Sequence, residues 1–110
     1  MPEIEHILET LGLPWAYRFF REYKGKPLPE PPFAIYMIPH EECYGSDDEN
    51  FVKKYNITVA LYCKKKDFEL EGKLEGLLCR DGIEFDKSED FLFDESVFAI
   101  TYEMEIVKKI

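Results

Sequence analysis

The sequence predicts an α+β fold, one mainly antiparallel sheet with two helices packed on one face, in the order α-β-β-β-α-β-β, within a single domain of residues 1–110. Three observations carry this. Residues 55–63, YNITVALYC, alternate between Ile57, Val59, Leu61, Cys63 and Thr58, Ala60, Tyr62, the period of a half-buried strand. Residues 96–107 do the same over a longer stretch, with Phe98, Ile100, Tyr102, Met104 and Ile106 on one face. Between them the spacing changes to Leu70, Leu74, Leu77 and Leu78, a helical stripe.

The first helix is predicted from Ile4, Ile7, Leu8 and Leu11, one face of two turns, closed by Gly12 and Pro14. WAYRFF (15–20) follows as a short strand. Residues 24–32, KGKPLPEPP, hold four of the seven prolines and form a stiff connector that donates few ladder hydrogen bonds. FAIYMI (33–38) is apolar on both faces and reads as a buried strand that Pro39 ends. Residues 40–54 are expected to be a long polar loop, with a turn around Gly45-Ser46-Asp47. Asp67 is placed to cap the second helix by accepting from early backbone N–H groups, and Glu69 and Glu71 complement its positive end. The lysines at 64–66 fill the join and stay solvated. Asp81-Gly82 stops the helix, and IEFDK (83–87) is a short strand. The other face of the last strand runs from Val97 and Ala99 to Thr101, Glu103 and Glu105, so it becomes wet or meets a partner.

The formal charge of −9, from 14 basic and 23 acidic residues, argues against direct nucleic-acid binding and against an anionic membrane surface. Hydrophobic residues at 45% and aromatics at 15% set the chain apart from disordered compositions. The apolar runs are too short to span a bilayer, and the acidic start MPEIEHILETLG does not read as a secretory signal. Cys43, Cys63 and Cys79 are an odd number at wide spacing, which fits reduced thiols in a cytoplasm. The acids are unevenly spread. Glu41, Glu42, Asp47, Asp48 and Glu49 form one cluster, and residues 81–95 hold seven acids with only Lys87 among them.

No catalytic constellation stands out. His40 and Cys43 sit on one acidic stretch whose carboxylates raise a thiol's pKa and lower its reactivity. His6, Cys63 and Cys79 lie on separate elements, and zinc needs three or four ligands, so no metal site is expected. Phosphate-binding glycine loops, a nucleophile elbow and a calcium loop are missing. The residues point to a protein that works by its surfaces, with no catalytic residue and no cofactor.

The stretches PPFAIYM, YGSDDENFVKKYNITVALYCKKKDFELEGKLEGLL and GIEFDKSEDFLFDESVFAITYEMEI together resemble the small tail-completion, or tail-terminator-like, proteins of long-tailed phages and prophages of Gram-positive bacteria. The resemblance covers about residues 15–107 and consists of strand ends in order, not of a catalytic signature. It implies a non-enzymatic virion protein at the head–tail joint. Such proteins close into rings, commonly of six subunits, and contact tail-tube and head-connector proteins. They occupy the host cytoplasm during assembly and the virion tail afterwards. On that basis Lys64, Lys65 and Lys66 have two readings: exposed charge for a neighbouring subunit's acids, or a solvated strand end. With Thr101, Glu103 and Glu105 they form the candidate subunit interface. Glu41, Glu42, Asp47, Asp48 and Glu49 become a candidate acidic loop, facing either the lumen, where carboxylates let DNA slide, or a partner. A different class fits the charge as well, a small acidic phage-encoded protein that mimics DNA and inhibits a host protein. A small housekeeping enzyme or ligand-binding domain is the third.

Overall fold

The computed structural model describes residues 1–20, 29–45 and 51–109. The element order is α1 (Pro2–Leu11), β1 (Trp15–Tyr17), β2 (Phe33–Gly45), β3 (Phe51–Cys63), α2 (Phe68–Arg80), β4 (Phe85–Leu92) and β5 (Val97–Lys109). The five strands form one mixed sheet in the order β1-β2-β3-β5-β4. β1 runs parallel to β2, and every other neighbouring pair is antiparallel. The fold is therefore α+β with a single sheet, as expected, and the one departure is the parallel β1.

Both helices lie on one face. Ile4, Ile7 and Leu8 of α1 and Leu70, Leu74 and Leu78 of α2 join Ala34, Tyr36, Ile57, Val59, Leu61, Ile100, Tyr102 and Met104 in one buried cluster. The period of two in β3 and β5 supplies the floor of that core, and the helical stripes supply its roof. Leu77 is only half-buried, at the edge of the stripe. α2 starts where Asp67 accepts from the Leu70 N–H at 3.0 Å. It ends in a Schellman turn: Gly82 adopts φ +72°, its N–H donates to Cys79 O at 3.0 Å, and the Ile83 N–H donates to Leu78 O at 2.9 Å.

Three local expectations need correction. Pro39 does not end β2. The register shifts between Met37 and His40, where Ile38 and Pro39 stand opposite Ile57 alone, and the ladder to β3 resumes from His40–Asn56 to Gly45–Phe51. Pro39 has no N–H to donate, and an irregularity is where a strand tolerates that. The described parts of the stretch 40–54 are accordingly strand and not loop, since Glu41 and Glu42 pair with Tyr55 and Lys54, and Cys43 pairs with Lys53. Ser46, Asp47, Asp48 and Glu49 lie outside the described residues. FAIYMI is not buried on both faces either: Ala34 and Tyr36 are buried, whereas Phe33, Ile35 and Met37 are half-buried on the helix-free side.

Two boundaries also move. β1 is confined to Trp15–Tyr17, because Arg18 takes a left-handed φ of 66° and turns the chain out of the ladder. β4 extends well beyond IEFDK, since its register against β5 continues to Leu92–Val97. Most of the connector at 24–32 falls outside the described residues.

Candidate assembly surface

Strand parity sorts the polar side chains onto two faces. On the helix-covered side, under α2, lies an ion cluster that the sequence reading did not anticipate. Glu71 is 2% exposed, yet it accepts from Lys66 at 2.9 Å and contacts Lys87 at 2.8 Å. Lys87 also donates to Glu75 at 2.8 Å, and the Tyr102 hydroxyl donates to Glu75 at 2.9 Å. Lys66 bonds Glu89 on β4 as well. Burial pushes the Glu71 carboxyl up, but the hydrogen bonds from Lys87 and Lys66 outweigh it and hold the group below the usual glutamate range. Glu89 and Glu71 keep Lys66 protonated, and burial with the Glu75 carboxylate keeps Tyr102 neutral. Glu71 is thus more than a complement to the helix dipole, and Lys66 is not a free solvated lysine. The signals for this were present in sequence: Glu71 continues the stripe of Leu70 and Leu74, and Lys87 is the lone cation of its acidic stretch.

The other side of the sheet carries no helix. Thr101 is half-buried there, and Glu103 and Glu105 are exposed. Glu105 pairs with Lys54 at 3.2 Å, and Lys54 reaches Glu42 at 3.8 Å. Glu42 also meets His40 at 3.2 Å and accepts from the Tyr44 hydroxyl, which holds its carboxyl below the usual range. Among the described residues Glu103 has no ion-pair partner. Lys64 and Lys65 are exposed at the far end of β3, with Lys64 at 3.7 Å from Glu30. The two halves of the candidate interface, Lys64–Lys65 and Thr101–Glu103–Glu105, are therefore not together. Glu103 stands opposite Thr58, so the lysines lie about 20 Å along β3 from it at the rise of an extended strand. Of the acidic cluster, Glu41 is exposed and Glu42 is partly neutralised by Lys54.

The distal parts of β2, β3 and β5 form a three-stranded arm, in which Val52 pairs with both Tyr44 and Lys109. Tyr44 and Phe51 near its tip are 54% and 47% exposed. At the opposite end of the sheet, also on the helix-free side, Phe33, Tyr62, Leu92 and Val97 line an open groove of about 440 Å³ with Lys64 and Glu95 at its rim. A second groove of about 690 Å³ is lined in part by Glu84, Asp86, Glu103 and Glu105.

Nucleophilic chemistry finds little support in these environments. Cys63 is buried, and burial first, then Asp67 and Glu71, push its thiol up. Cys43 is exposed on the arm, and Cys79 is exposed on α2. Among the described residues no group of three or more His, Cys, Asp or Glu is placed to hold a metal ion, and no helix is long and apolar enough to cross a membrane. Comparison with known protein families gives no match, and comparison with curated proteins gives no significant relative.

Proposed function

We propose that this chain is a non-enzymatic assembly subunit of the tail-completion class. It would close head-to-tail, as a ring of about six copies, at the junction between a phage tail tube and the head connector. The observation that carries the reading is the placement of two unlike surfaces at the two ends of one central strand. A three-stranded extension that exposes Tyr44 and Phe51 on opposite faces and carries Glu41, Glu42, Lys53 and Lys54 lies at the start of β3, and an apolar groove rimmed by Lys64 and Glu95 lies at its end. A heterologous ring needs two different patches on each subunit, held at a fixed separation and orientation. β3 is hydrogen-bonded to β2 and β5 along its length, so it holds them rigidly. The sequence offers no recognisable catalytic constellation, which agrees with a role built on surfaces, and the residue pattern that resembles tail-completion proteins supports that kind of assembly.

The DNA-mimic reading rests on the net charge alone. Lys54, Lys66, Lys87 and Lys108 each pair with carboxylates within the chain and interrupt the acidic surface. The deciding experiment is light scattering and electron microscopy of the purified protein, alone and mixed with tail tubes. Closed rings in solution or capping tube ends are expected. A monomer that neither closes nor caps tubes, together with tight salt-sensitive binding to a basic host protein, would overturn the reading in favour of the mimic.

A further inference from the structure

We infer that β4 is an open docking edge, which takes a basic, extended segment of a partner protein as a sixth strand of the sheet. The contact is independent of ring closure and uses neither the arm nor the groove at the end of β3.

The two edges of the sheet differ. On one side β1 pairs with β2 over Trp15–Tyr17 only, Arg18 turns away at φ 66°, and the ladder beyond is interrupted around Pro39. Short strands, irregular register and proline keep an edge from pairing further. β4 has none of these. Its register against β5 runs unbroken from Phe85–Met104 to Leu92–Val97, without a proline, over about 26 Å at the rise of a strand.

Hydrogen-bond parity identifies the open groups. The Ala34 N–H donates to Pro14 O at 2.9 Å, and the Arg18 N–H donates to Tyr36 O at 2.9 Å, so Ala34 and Tyr36 face β1. In an antiparallel ladder the N–H and C=O of one residue point to the same side, and that side alternates along the strand. Carried across the registers of β2, β3 and β5, the alternation turns Asp86, Ser88 and Asp90 toward β5, and Lys87, Glu89 and Phe91 outward. The Phe91 N–H agrees, since it donates to the Asp90 carboxylate at 2.8 Å. Among the described residues, 85–92 meet no main-chain partner other than β5.

The flanking charge selects the occupant. Main-chain bonds give an added strand its affinity, and its alternate side chains give specificity. On the helix-free face those side chains would lie beside Asp86 and Asp90, with Glu103 opposite Asp86 on β5. Like charges opposite one another destabilise a ladder, and among the described residues none of these three carboxylates has an ion-pair partner. On the helix side Lys87 and Glu89 are already turned to Glu75 and Lys66. The segment that fits therefore carries Lys or Arg at every second position, with uncharged residues between. The same acids oppose pairing with a second β4.

The probe is an end-capped peptide of alternating lysine and threonine, long enough to span β4, measured by fluorescence anisotropy and by hydrogen exchange of the protein. Binding should slow exchange at Lys87 and Glu89. Two N-methylated forms carry the same charge, one blocking the lysine amides and the other the threonine amides. Only one row of amides faces β4, so one form should bind at least about tenfold more weakly and the other should not. Asp86→Asn with Glu103→Gln should weaken binding at a melting temperature no lower than the parent's, because it relieves two opposed carboxylates. Absence of binding, equal binding by both methylated forms, or binding without slowed exchange at Lys87 and Glu89 overturns the added strand. Unchanged affinity in the double variant overturns the basic occupant. None of these readouts involves ring closure, so their failure leaves the assembly reading to its own test.

Discussion

Glu71 on α2 and Lys87 on β4 meet at 2.8 Å beneath the helix, and Glu71 is almost wholly withdrawn from water. Breaking a fully buried ion pair from one side costs about 3–5 kcal/mol. Here the cost is smaller, because Lys66 and Lys87 keep a quarter to a third of their side-chain surface in solvent and retain Glu89 and Glu75 as partners. Glu71→Gln is therefore expected to destabilise by about 1.5–3 kcal/mol, the range for a hydrogen bond to a charged group. Glu69→Gln, at an exposed position two residues earlier, should stay within about 0.5 kcal/mol of the parent. Urea denaturation at neutral pH measures both. Equal effects would mean that the cluster contributes nothing beyond an ordinary surface charge.

The same group gives the protein an acid limit. The folded-state pKa of Glu71 lies below its unfolded value, with burial opposing and Lys87 and Lys66 prevailing. Glu3 shifts down through its hydrogen bond with Lys108, and Glu5 through the Tyr36 hydroxyl and the terminal ammonium. A depressed carboxyl contributes stability that is complete above the unfolded pKa, about 4.3 for glutamate, and that is lost as pH falls through the lower folded value. The melting temperature should hold steady from pH 8 to about 5 and fall below that. Glu71→Gln should shallow the acid slope. Parallel slopes for parent and variant would place the acid sensitivity elsewhere.

Leu74 is fully buried at the centre of the helix–sheet interface, whereas Leu77 is half-buried at its rim. Leu74→Ala should cost about 2–5 kcal/mol, from lost transfer energy and the cavity left behind. Leu77→Ala should cost clearly less, because solvent already reaches the site. If the two variants denature at the same urea midpoint, the packing of α2 differs from that described.

Thiol reactivity follows burial. Cys63 is 5% exposed and its pKa is pushed up by that burial, while Cys43 and Cys79 are exposed. A thiolate-reactive dye at neutral pH should label two of the three cysteines quickly in the native protein and the third only on unfolding. Three fast thiols would show that the β3 end of the core opens readily.

What could be read in the sequence was what periodicity encodes. β3, β5, both helices and the Asp67 cap follow from alternation, helical spacing and capping chemistry that are local. The arm was missed because its residues, HEECYG and FVKK, lack an apolar face and Pro39 reads as a stop. The ladder there is sustained by pairing across strands, which is not local. The same limit explains Lys66 and Lys87. Each looks like a solvated lysine until the fold brings α2 over β4 and makes Glu71 their common partner. Of the candidate interface, the exposure of Lys64, Lys65 and Glu103 was legible. Their separation along the sheet, and the groove and arm beside them, depend on strand order.

Within the lysine run, Lys66 is tied to Glu71 and Glu89, whereas Lys64 and Lys65 are exposed at the groove end of β3. This separates an assembly role from a folding role within three consecutive residues. Lys66→Glu should destabilise the monomer, because it sets a third carboxylate against Glu71 and Glu89. Lys64→Glu with Lys65→Glu should leave the melting temperature within about 2–4 °C of the parent, as exposed ion pairs contribute about 0–1 kcal/mol. Lys64 loses only a loose contact with Glu30 at 3.7 Å. The double reversal should nevertheless weaken ring closure and tail completion, since it turns the groove rim acidic in a chain whose net charge is already −9. Raising the salt should narrow the difference between parent and variant, because screening acts on both the lost attraction and the new repulsion. Uniform tails made by the double reversal at low salt would return Lys64 and Lys65 to the role of a solvated strand end.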